Sequence, residues 1–312
     1  MSRVVHLNNH AIELTHQERV LFPADGITKG EVIDYYERIA PFMAPHLHGR
    51  PLAMQRFTHD IKEGGFYQKQ AGNYFPEWIE QVSIKNQDGG SVQYVVCNDA
   101  ASLVYLANQG VLVYHIWPSA VGHLNYPDRM IFDLDPSGRA TFADIRFAAQ
   151  RLKQLLDELG LISFVMTTGS RGVHIVLPLE PIHTFNKVRT CARAIAQWLV
   201  NQHSDRLTLE IRKTKRVNKI FLDIIRNTYG HHSVAPYSLR ALPGAPLATP
   251  ISWDELLKKG IMPQSYTIKN IFRRLAQKND PWADFGHKKN KLAGVVEKLK
   301  QRSILRQASS IR

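Results

Sequence analysis

Apolar side chains recur at two spacings along the first half of the chain, and each spacing predicts a different kind of element. From residue 29 to residue 43 they fall three or four positions apart, the period of a helix face: Val32, Ile33, Tyr36, Ile39 and Met43. A capping-box sequence at Thr28 starts this helix, and Pro41 and Pro45 are expected to end it early. β-rich segments predict further elements: strands at 51–57, 92–97 and 111–117, a helix at 100–109, and an exposed glycine- and aromatic-rich loop at 58–78.

The second half of the chain begins with its clearest strand, residues 129–135. The pattern then predicts helices at 141–160 and 184–203, strands at 163–168, 173–179, 219–225 and 234–242, and a capping box at Ser252. From Ile268 onward the chain is helical and basic in pattern, with a basic helix at 288–306. Strands and helices do not alternate strictly, so we predict an α/β (α+β) fold of mixed β-sheets flanked by helices, with the weakest boundary at 118–128.

Composition and charge narrow the class of partner. The 312 residues are 44% hydrophobic and carry a formal net charge of +13, which favours a nucleic acid or another polyanion as partner. Cys97 and Cys191 lie in apolar stretches and are expected to be buried thiols of a reducing compartment. Neither a secretory signal nor an apolar run of membrane-spanning length is visible, so we expect a cytoplasmic, nucleoid-associated protein without a membrane partner.

Three aspartates interrupt otherwise apolar strands. Asp133 and Asp135 are two residues apart at a strand end, so their side chains point the same way, and Asp223 interrupts a later apolar strand. Carboxylates this close repel one another unless a cation lies between them, and Mg²⁺ or Mn²⁺ suits such oxygen ligands. A turn explains Asp135 alone, since Asp135-Pro136-Ser137-Gly138 is good turn chemistry. The segment also resembles the first motif of haloacid-dehalogenase-type phosphatases, which use the first Asp as a nucleophile.

A glycine-containing loop, residues 167–174, joins two predicted strands. Its glycines permit close approach of a ligand, and its backbone N–H groups and side chains can donate to phosphate oxygens. The side-chain donors are Thr168, Ser170, Arg171 and His174. An ordinary hairpin turn explains the loop taken alone, but metal carboxylates together with phosphate donors are what phosphoryl transfer requires.

These motifs together resemble the polymerase domain of bacterial and archaeal ligase D proteins, end-joining polymerases of the archaeo-eukaryotic primase superfamily. The matching segments, in order, are 20–23, 28–30, 67–69, 115–118, 132–136, 168–174, 221–227, 234–240 and 243–246. The resemblance covers roughly residues 12 to 260 and implies one primase-polymerase domain. Within it we expect an N-terminal lobe at 1–125, a catalytic core at 126–265 and basic C-terminal helices at 266–312. No ligase motif is visible, so we expect a stand-alone polymerase or one domain of a larger protein.

The resemblance also implies roles for particular residues. Two Mn²⁺ or Mg²⁺ ions would be held by Asp133, Asp135 and Asp223. The incoming nucleotide would be bound by His115, Thr168, Ser170, Arg171, His174, Arg226 and Arg240, with His115 near the sugar. The downstream 5′-phosphate of the DNA would be bound by His16, Arg19 and Lys29, of which the first two stand where the family usually has Asn and Lys. Phe66, Tyr67 and Lys69 would touch DNA at the break.

The resemblance implies a nucleotidyltransferase that adds NTPs, in preference to dNTPs, to primer 3′-hydroxyl ends at gaps and double-strand breaks. Ku and a separate DNA ligase are implied as partners. Three alternatives stay open from the sequence: a primase that starts chains de novo, a metal-dependent phosphatase, and an inactive DNA-binding module. The position of Arg226 is a further open point, because strict strand alternation would place it on the face opposite Asp223.

Overall fold

A computed structural model describes residues 3–85, 89–258 and 260–309, with side chains as far as Arg302. The strands are β1 Arg3–Leu7, β2 His10–Leu14, β3 Val20–Phe22, β4 Ile27–Thr28, β5 Leu52–Arg56, β6 Phe66–Gln68, β7 Gln81–Lys85, β8 Ser91–Val95, β9 Val111–Ile116, β10 Arg129–Pro136, β11 Phe164–Thr167, β12 Val173–Pro178, β13 Leu207–Thr208, β14 Ile220–Asp223, β15 Ser233–Val234 and β16 Thr249–Ile251. The α-helices are α1 Lys29–Leu47, α2 Ala100–Asn108, α3 Phe142–Glu158, α4 Phe185–Gln202, α5 Trp253–Leu257, α6 Ile271–Gln277 and α7 Val295–Ser309. The predicted mixture of sheets and flanking helices is confirmed.

A six-stranded sheet forms the centre of the half of the molecule that begins at residue 129. Its order is β13-β14-β10-β12-β11-β16, and every neighbouring pair is antiparallel except β13 and β14. The alternating side chains of β10 separate its two faces. Met130, Phe132 and Leu134 pack into a hydrophobic core with α3, α4 and α7, whereas Ile131 packs into the other core. Asp133 and Asp135 share the face of Ile131, away from α3, α4 and α7.

A second, four-stranded sheet of order β15-β9-β5-β6 lies in the N-terminal half, where α1 and α2 pack together. The second hydrophobic core is built mainly from this half, but it also contains Val234, Tyr237 and Leu247 from much later in the chain. The chain therefore crosses from one half to the other at residues 117–129 and returns through β15. Both cysteines are buried free thiols, as predicted.

Several predicted element boundaries were wrong. Pro41 and Pro45 do not end α1, which continues to Leu47 because Met43, His46 and Leu47 are buried along it. That packing offsets the roughly 3 kcal/mol that proline costs inside a helix. The expected loop at 58–78 contains β6, which pairs with β5. The strand expected at 219–225 ends at Asp223, and the one expected at 234–242 consists of β15 alone, since the chain turns at Tyr237 with a φ of +65°.

The C-terminal segment contains less helix than predicted. Residues 278–294 contain turns and no helix, and α7 begins at Val295 rather than at Lys288. The side chains of Val295 and Leu299 are buried against the helical core, so α7 docks on the domain. Among the described residues, no helix combines the length and the apolar character needed to cross a membrane.

Candidate active site

The three predicted carboxylates meet on neighbouring central strands. In the antiparallel registers, Asp133 of β10 lies opposite Asp223 of β14 on one side and opposite His174 of β12 on the other. Asp133 and Asp223 are 5% and 8% exposed. Asp135 follows two residues after Asp133 and is partly exposed at the strand end. The period-two argument from the sequence thus places these groups on one face of the sheet.

Charges on this face are only partly balanced. The Nε2 atom of His174 is 3.4 Å from Asp133 Oδ1, and Arg226 Nε is 3.5 Å from Asp133 Oδ2. Burial opposes ionisation of Asp133, but His174 and Arg226 outweigh it and hold its pKa below the ordinary value. Burial raises the pKa of Asp135 and of Asp223, and the neighbouring Asp133 raises both further. Three acidic groups are therefore held close against their mutual repulsion.

Arg226 reaches this face because β14 ends early. A 3-10 turn at Ile225–Asn227 follows the strand, and the Ile225 N–H donates to Asp223 Oδ1 at 2.7 Å. The turn replaces strand alternation and brings Arg226 Nε to 3.9 Å from Asp223 Oδ2 as well as to Asp133. Asn227 anchors the turn, since its side chain exchanges hydrogen bonds with the backbone of Ile131. The sequence left the position of Arg226 open, and the turn resolves it.

The predicted phosphate loop covers the end of β10. Thr168 Oγ1 accepts from the backbone N–H groups of Ser170 and Gly172, which closes the loop on itself. At Gly169 φ is +65°, and an added Cβ would lie 2.6 Å from the Leu247 backbone. At Gly172 an added Cβ would lie 2.2 Å from the Leu134 carbonyl oxygen. Both positions therefore require glycine, because backbone crosses closely there.

Cationic and aromatic side chains form the opposite wall. Arg240 is half-buried and its Nη1 donates to the Thr168 carbonyl at 3.4 Å, while burial lowers its pKa. The rings of Tyr67 and His115 lie 5.5 Å apart, and His232 lies 5.5 Å from His115. Burial, His232 and Arg240 keep the pKa of His115 well below its ordinary value, so this imidazole is neutral.

A cleft of about 220 Å³ gathers these groups. Its lining includes these predicted residues: Tyr67, His115, Asp133, Asp135, Thr168, Ser170, Arg171, His174, Arg226 and Arg240. Asp223 lines an adjacent hollow and is joined to the cleft through Arg226. Sequence reasoning missed His232, Ser233 and Val234, which also line the cleft. The His231-His232 pair directly before the predicted 234–240 motif was the one signal that pointed to them.

The residues predicted to bind a 5′-phosphate form a separate cluster. The N–H of Arg19 donates to the His16 carbonyl, and the N–H of Lys29 donates to the Arg19 carbonyl at 2.7 Å. Lys29 is 5% exposed, and its Nζ donates to the Thr15 carbonyl at 2.6 Å. Burial and the neighbouring Arg19 lower the pKa of Lys29 to about 8, despite the opposing charge of Glu18. Two cations held this close form a site that an anion would stabilise.

The predicted DNA-binding residues lie on and beside β6. Phe66 and Tyr67 are 48% and 57% exposed, and Lys69 is exposed. The ring of Tyr67 faces His115 in the cleft, and Phe66 is approached by Arg56 at 5.8 Å. Exposed aromatic rings beside a cationic cleft suit stacking on bases.

The donor set fits hard divalent cations by its chemistry. Asp133, Asp135 and Asp223 offer oxygen ligands. Burial is the main cause of the raised pKa values of Asp135 and Asp223, and repulsion from Asp133, which a cation would relieve, raises them further. In the part of the chain that the structure describes, no three metal-binding side chains converge as a formed site. Arg226 lies between Asp133 and Asp223 instead and supplies part of the balancing charge.

Buried carboxylates beside a glycine-containing loop and a cationic wall are the combination of groups that phosphoryl transfer requires, and this combination is typical of the nucleotidyltransferase class. The sequence matches the family described as LigD, primase-polymerase domain, over residues 28–282. The chain belongs to this family and is a nucleotidyltransferase. Membership of this family argues against the alternative that the chain is a metal-dependent phosphatase.

Individual relatives give the same result. The multifunctional non-homologous end joining protein LigD of Mycolicibacterium smegmatis is 35% identical over 248 residues, 78% of this chain and 32% of the relative. The bifunctional non-homologous end joining protein LigD of Bacillus subtilis is 27% identical over 295 residues, 94% of this chain and 47% of the relative. This chain thus spans between a third and a half of these relatives. The polymerase domain of Mycobacterium tuberculosis ligase D, solved in complex with DNA, superposes with a TM-score of 0.83 at 27% identity, covering 89% of this chain and 99% of that one.

Proposed function

We propose that this chain extends DNA 3′-hydroxyl ends at gaps and double-strand breaks, and that it adds ribonucleotides in preference to deoxyribonucleotides. The observation that carries the proposal is the cleft in which Asp133 and Asp135 face Arg171, Arg226 and Arg240. The likeness to a DNA-bound polymerase domain supports DNA as the substrate. The names of the relatives support a place in non-homologous end joining. Ku and a separate DNA ligase, which the family resemblance implies, are part of the proposal as partners.

Asp133, Asp135 and Asp223 would hold two Mg²⁺ or Mn²⁺ ions, which when bound lower the pKa of the primer hydroxyl and neutralise charge on the leaving pyrophosphate. Because the N–H groups of Ser170 and Gly172 donate to Thr168 Oγ1, the N–H groups that this loop would present to the triphosphate are those of Gly169 and Arg171. Arg171 and Arg240 would pair with its oxygens as planar, bidentate donors. The Arg226 side chain is 36% exposed, so it is free to turn from the carboxylates to the triphosphate. These contacts would hold the α-phosphate in line with the primer hydroxyl.

The preference for ribonucleotides would come from the histidine side of the cleft. The Nδ1 atoms of His115 and His232 are buried, and neither has a hydrogen-bond partner among the described residues. A ribose 2′-hydroxyl placed between them would satisfy one or both atoms, whereas a deoxyribose would leave them unpaired.

We expect His232→Ala to lower the NTP-over-dNTP ratio of kcat/KM about tenfold, the cost of one lost polar contact. His183→Ala, at a partly exposed histidine that does not line the cleft, is the control; an unchanged ratio in His232→Ala would refute this role.

The main test is primer extension on a gapped duplex with a downstream 5′-phosphate, in Mn²⁺, with NTPs or dNTPs. The Asp133→Ala, Asp135→Ala double variant should bind the DNA and lose extension by several orders of magnitude. Asp157→Ala, which removes an exposed helix carboxylate paired with Lys153, should extend like the wild type. An unprimed template in the same assay tests chain initiation. If the wild type extends no primer while both proteins bind DNA equally, the proposal is wrong.

A further inference from the structure

A second and larger cavity lies at the far end of β10 from the active site. Its volume is about 490 Å³, against about 220 Å³ for the cleft. Its walls come from the C-terminal half of α1, the start of β10 and the turns at 280–289. Arg129 lies in this wall four residues before Asp133, a separation of roughly 13 Å along a strand. The cavity and the active-site cleft have no lining residue in common.

Two buried arginines share one carboxylate in this cavity. Arg50 Nη2 lies 2.5 Å from Asp128 Oδ2, and Arg129 Nε lies 3.3 Å from Asp128 Oδ1. The side chains of Arg50 and Arg129 are 7% and 5% exposed. Two further charged residues line the cavity, Lys289 and Asp280, so the lining carries one excess positive charge from its arginines, lysine and aspartates. Burying an unbalanced charge is costly unless an anion accompanies it.

Some N–H groups of Arg50 and Arg129 have no hydrogen-bond acceptor among the described residues. The Nε atom of Arg50 is buried without a hydrogen-bond partner. Arg129 makes its side-chain hydrogen bond through Nε to Asp128, and within the described ranges its terminal amino groups make none. His46 beside them is not a competing cation, because burial and the two arginines lower its pKa to about 3. The cluster therefore offers spare N–H groups on two rigid guanidinium planes.

Aromatic rings complete the wall. Trp282 and Phe285 stack with centroids 4.9 Å apart, and the Arg129 guanidinium lies 5.3 Å from the Phe285 ring. The Trp282 indole N–H donates to the Val165 carbonyl at 3.0 Å, which fixes this wall on the central sheet. Cavities of ~300–1,000 Å³ lined by aromatic groups and a few convergent polar groups are typical small-molecule sites.

We propose that this cavity binds a phosphate group, either as inorganic phosphate or carried by a ligand of mononucleotide size. Phosphate matches the planar N–H pattern of guanidinium groups and supplies the missing negative charge. The volume of about 490 Å³ exceeds what phosphate alone fills, and Trp282 and Phe285 are among the residues that line it. The site does not depend on the function proposed for the cleft.

The first test follows the Trp282 indole N–H by NMR, assigned with Trp282→Phe, during titration with AMP, inorganic phosphate or adenosine. AMP and phosphate should shift this signal, and adenosine alone should not.

The same titration is repeated with two lysine variants. Lys289→Ala removes a cation at the rim of the cavity and should weaken phosphate binding about fivefold, the effect of one exposed charge. Lys288→Ala removes the neighbouring exposed lysine, which does not line the cavity, and should change nothing. Tighter binding of AMP than of phosphate would assign a nucleotide. The proposal is overturned if neither AMP nor phosphate shifts the Trp282 signal, or if Lys289→Ala and Lys288→Ala lose the same affinity.

The second test uses Asp128→Asn, which leaves two arginines without their shared carboxylate. The variant should lose thermal stability in phosphate-free buffer and should gain more in Tm than the wild type when phosphate is added, because ligand binding to the folded state stabilises it. Phosphate that binds in the active-site cleft raises Tm equally in both proteins, so it does not affect the difference between their gains in Tm. A gain in Asp128→Asn that is no larger than in the wild type would identify a purely structural ion cluster.

Discussion

At the scale of single residues, burial makes the charge of Lys29 sensitive to pH near neutrality. Its pKa is lowered to about 8 because burial and Arg19 both disfavour the charged ammonium. If Lys29 binds the downstream 5′-phosphate, the protonated form is the one that binds. Lys29 is then charged below pH 8 and becomes neutral as the pH rises through 8, while Arg19 stays charged, so most of the advantage of a 5′-phosphate is lost in that direction. Bound phosphate shifts this loss to somewhat higher pH, since it stabilises the ammonium.

We therefore expect the ratio of extension on 5′-phosphate and 5′-hydroxyl gaps to fall several-fold, up to about tenfold, between pH 7 and pH 9. Lys29→Met should lower the ratio and make it independent of pH between 7 and 9, because it keeps the chain length and removes the titrating charge while Arg19 stays charged. Lys85→Met, at an exposed lysine on β7, serves as the control. A wild-type ratio that is high and constant across this range would show that Lys29 is not the phosphate ligand.

At the scale of elements, the sequence predicted what depends on local pattern and failed where distant packing decides. The apolar run of β10 and the two-residue spacing of Asp133 and Asp135 were sufficient to predict a strand with both carboxylates on one face. The continuation of α1 past Pro41 was not predictable locally, because burial of Met43 and His46 against other segments maintains it. His232 was missed for a similar reason: it joins the cleft only through the pairing of β15 with β9.

The contact between α5 and α6 depends on a single buried carboxylate. Glu255 Oε2 accepts from Arg274 Nη2 at 2.8 Å, and the Tyr266 hydroxyl donates to the same carboxylate. Burial opposes ionisation of Glu255, but Arg274 and Tyr266 outweigh it and lower its pKa to about 2. A lowered pKa of an acid adds stability above the unfolded-state pKa, which for Glu is about 4.3, and this stability is lost as the pH falls from there toward 2.

We expect Glu255→Gln to lower the free energy of unfolding by roughly 3 kcal/mol at pH 7, because Arg274 is left buried without its partner. The difference from the wild type should shrink as the pH falls below about 4.3. Urea unfolding at several pH values measures this, and Glu180→Gln, which removes a surface ion pair with Lys291, should cost less than about 1 kcal/mol. A difference that does not change with pH would mean that packing alone explains the loss.

At the scale of the whole molecule, the two faces of the six-stranded sheet carry different groups. One face carries Asp133, Asp135 and the cationic cleft, and the other is covered by α3, α4 and α7. The net charge of +13 predicted a polyanionic partner but not which surface meets it. The alternation of side chains in β10 answers this in part, because it places Asp133 and Asp135 on the face opposite α3, α4 and α7. DNA that reaches the cleft would then lie on that face.

This arrangement makes a prediction for α7. Its buried residues Val295 and Leu299 dock on the helical side, and Arg302 pairs with Glu158 of α3. Truncation after Gly294 should therefore lower Tm while the slope of log K against log salt for duplex DNA stays unchanged. Residues 295–312 hold five basic residues and one acidic residue, a net +4. If they bound phosphates, the slope would shrink by roughly 0.9 for each lost contact. A reduction near 3 or 4 would place α7 on the DNA, and the helical side of the sheet would then have to be part of the DNA interface.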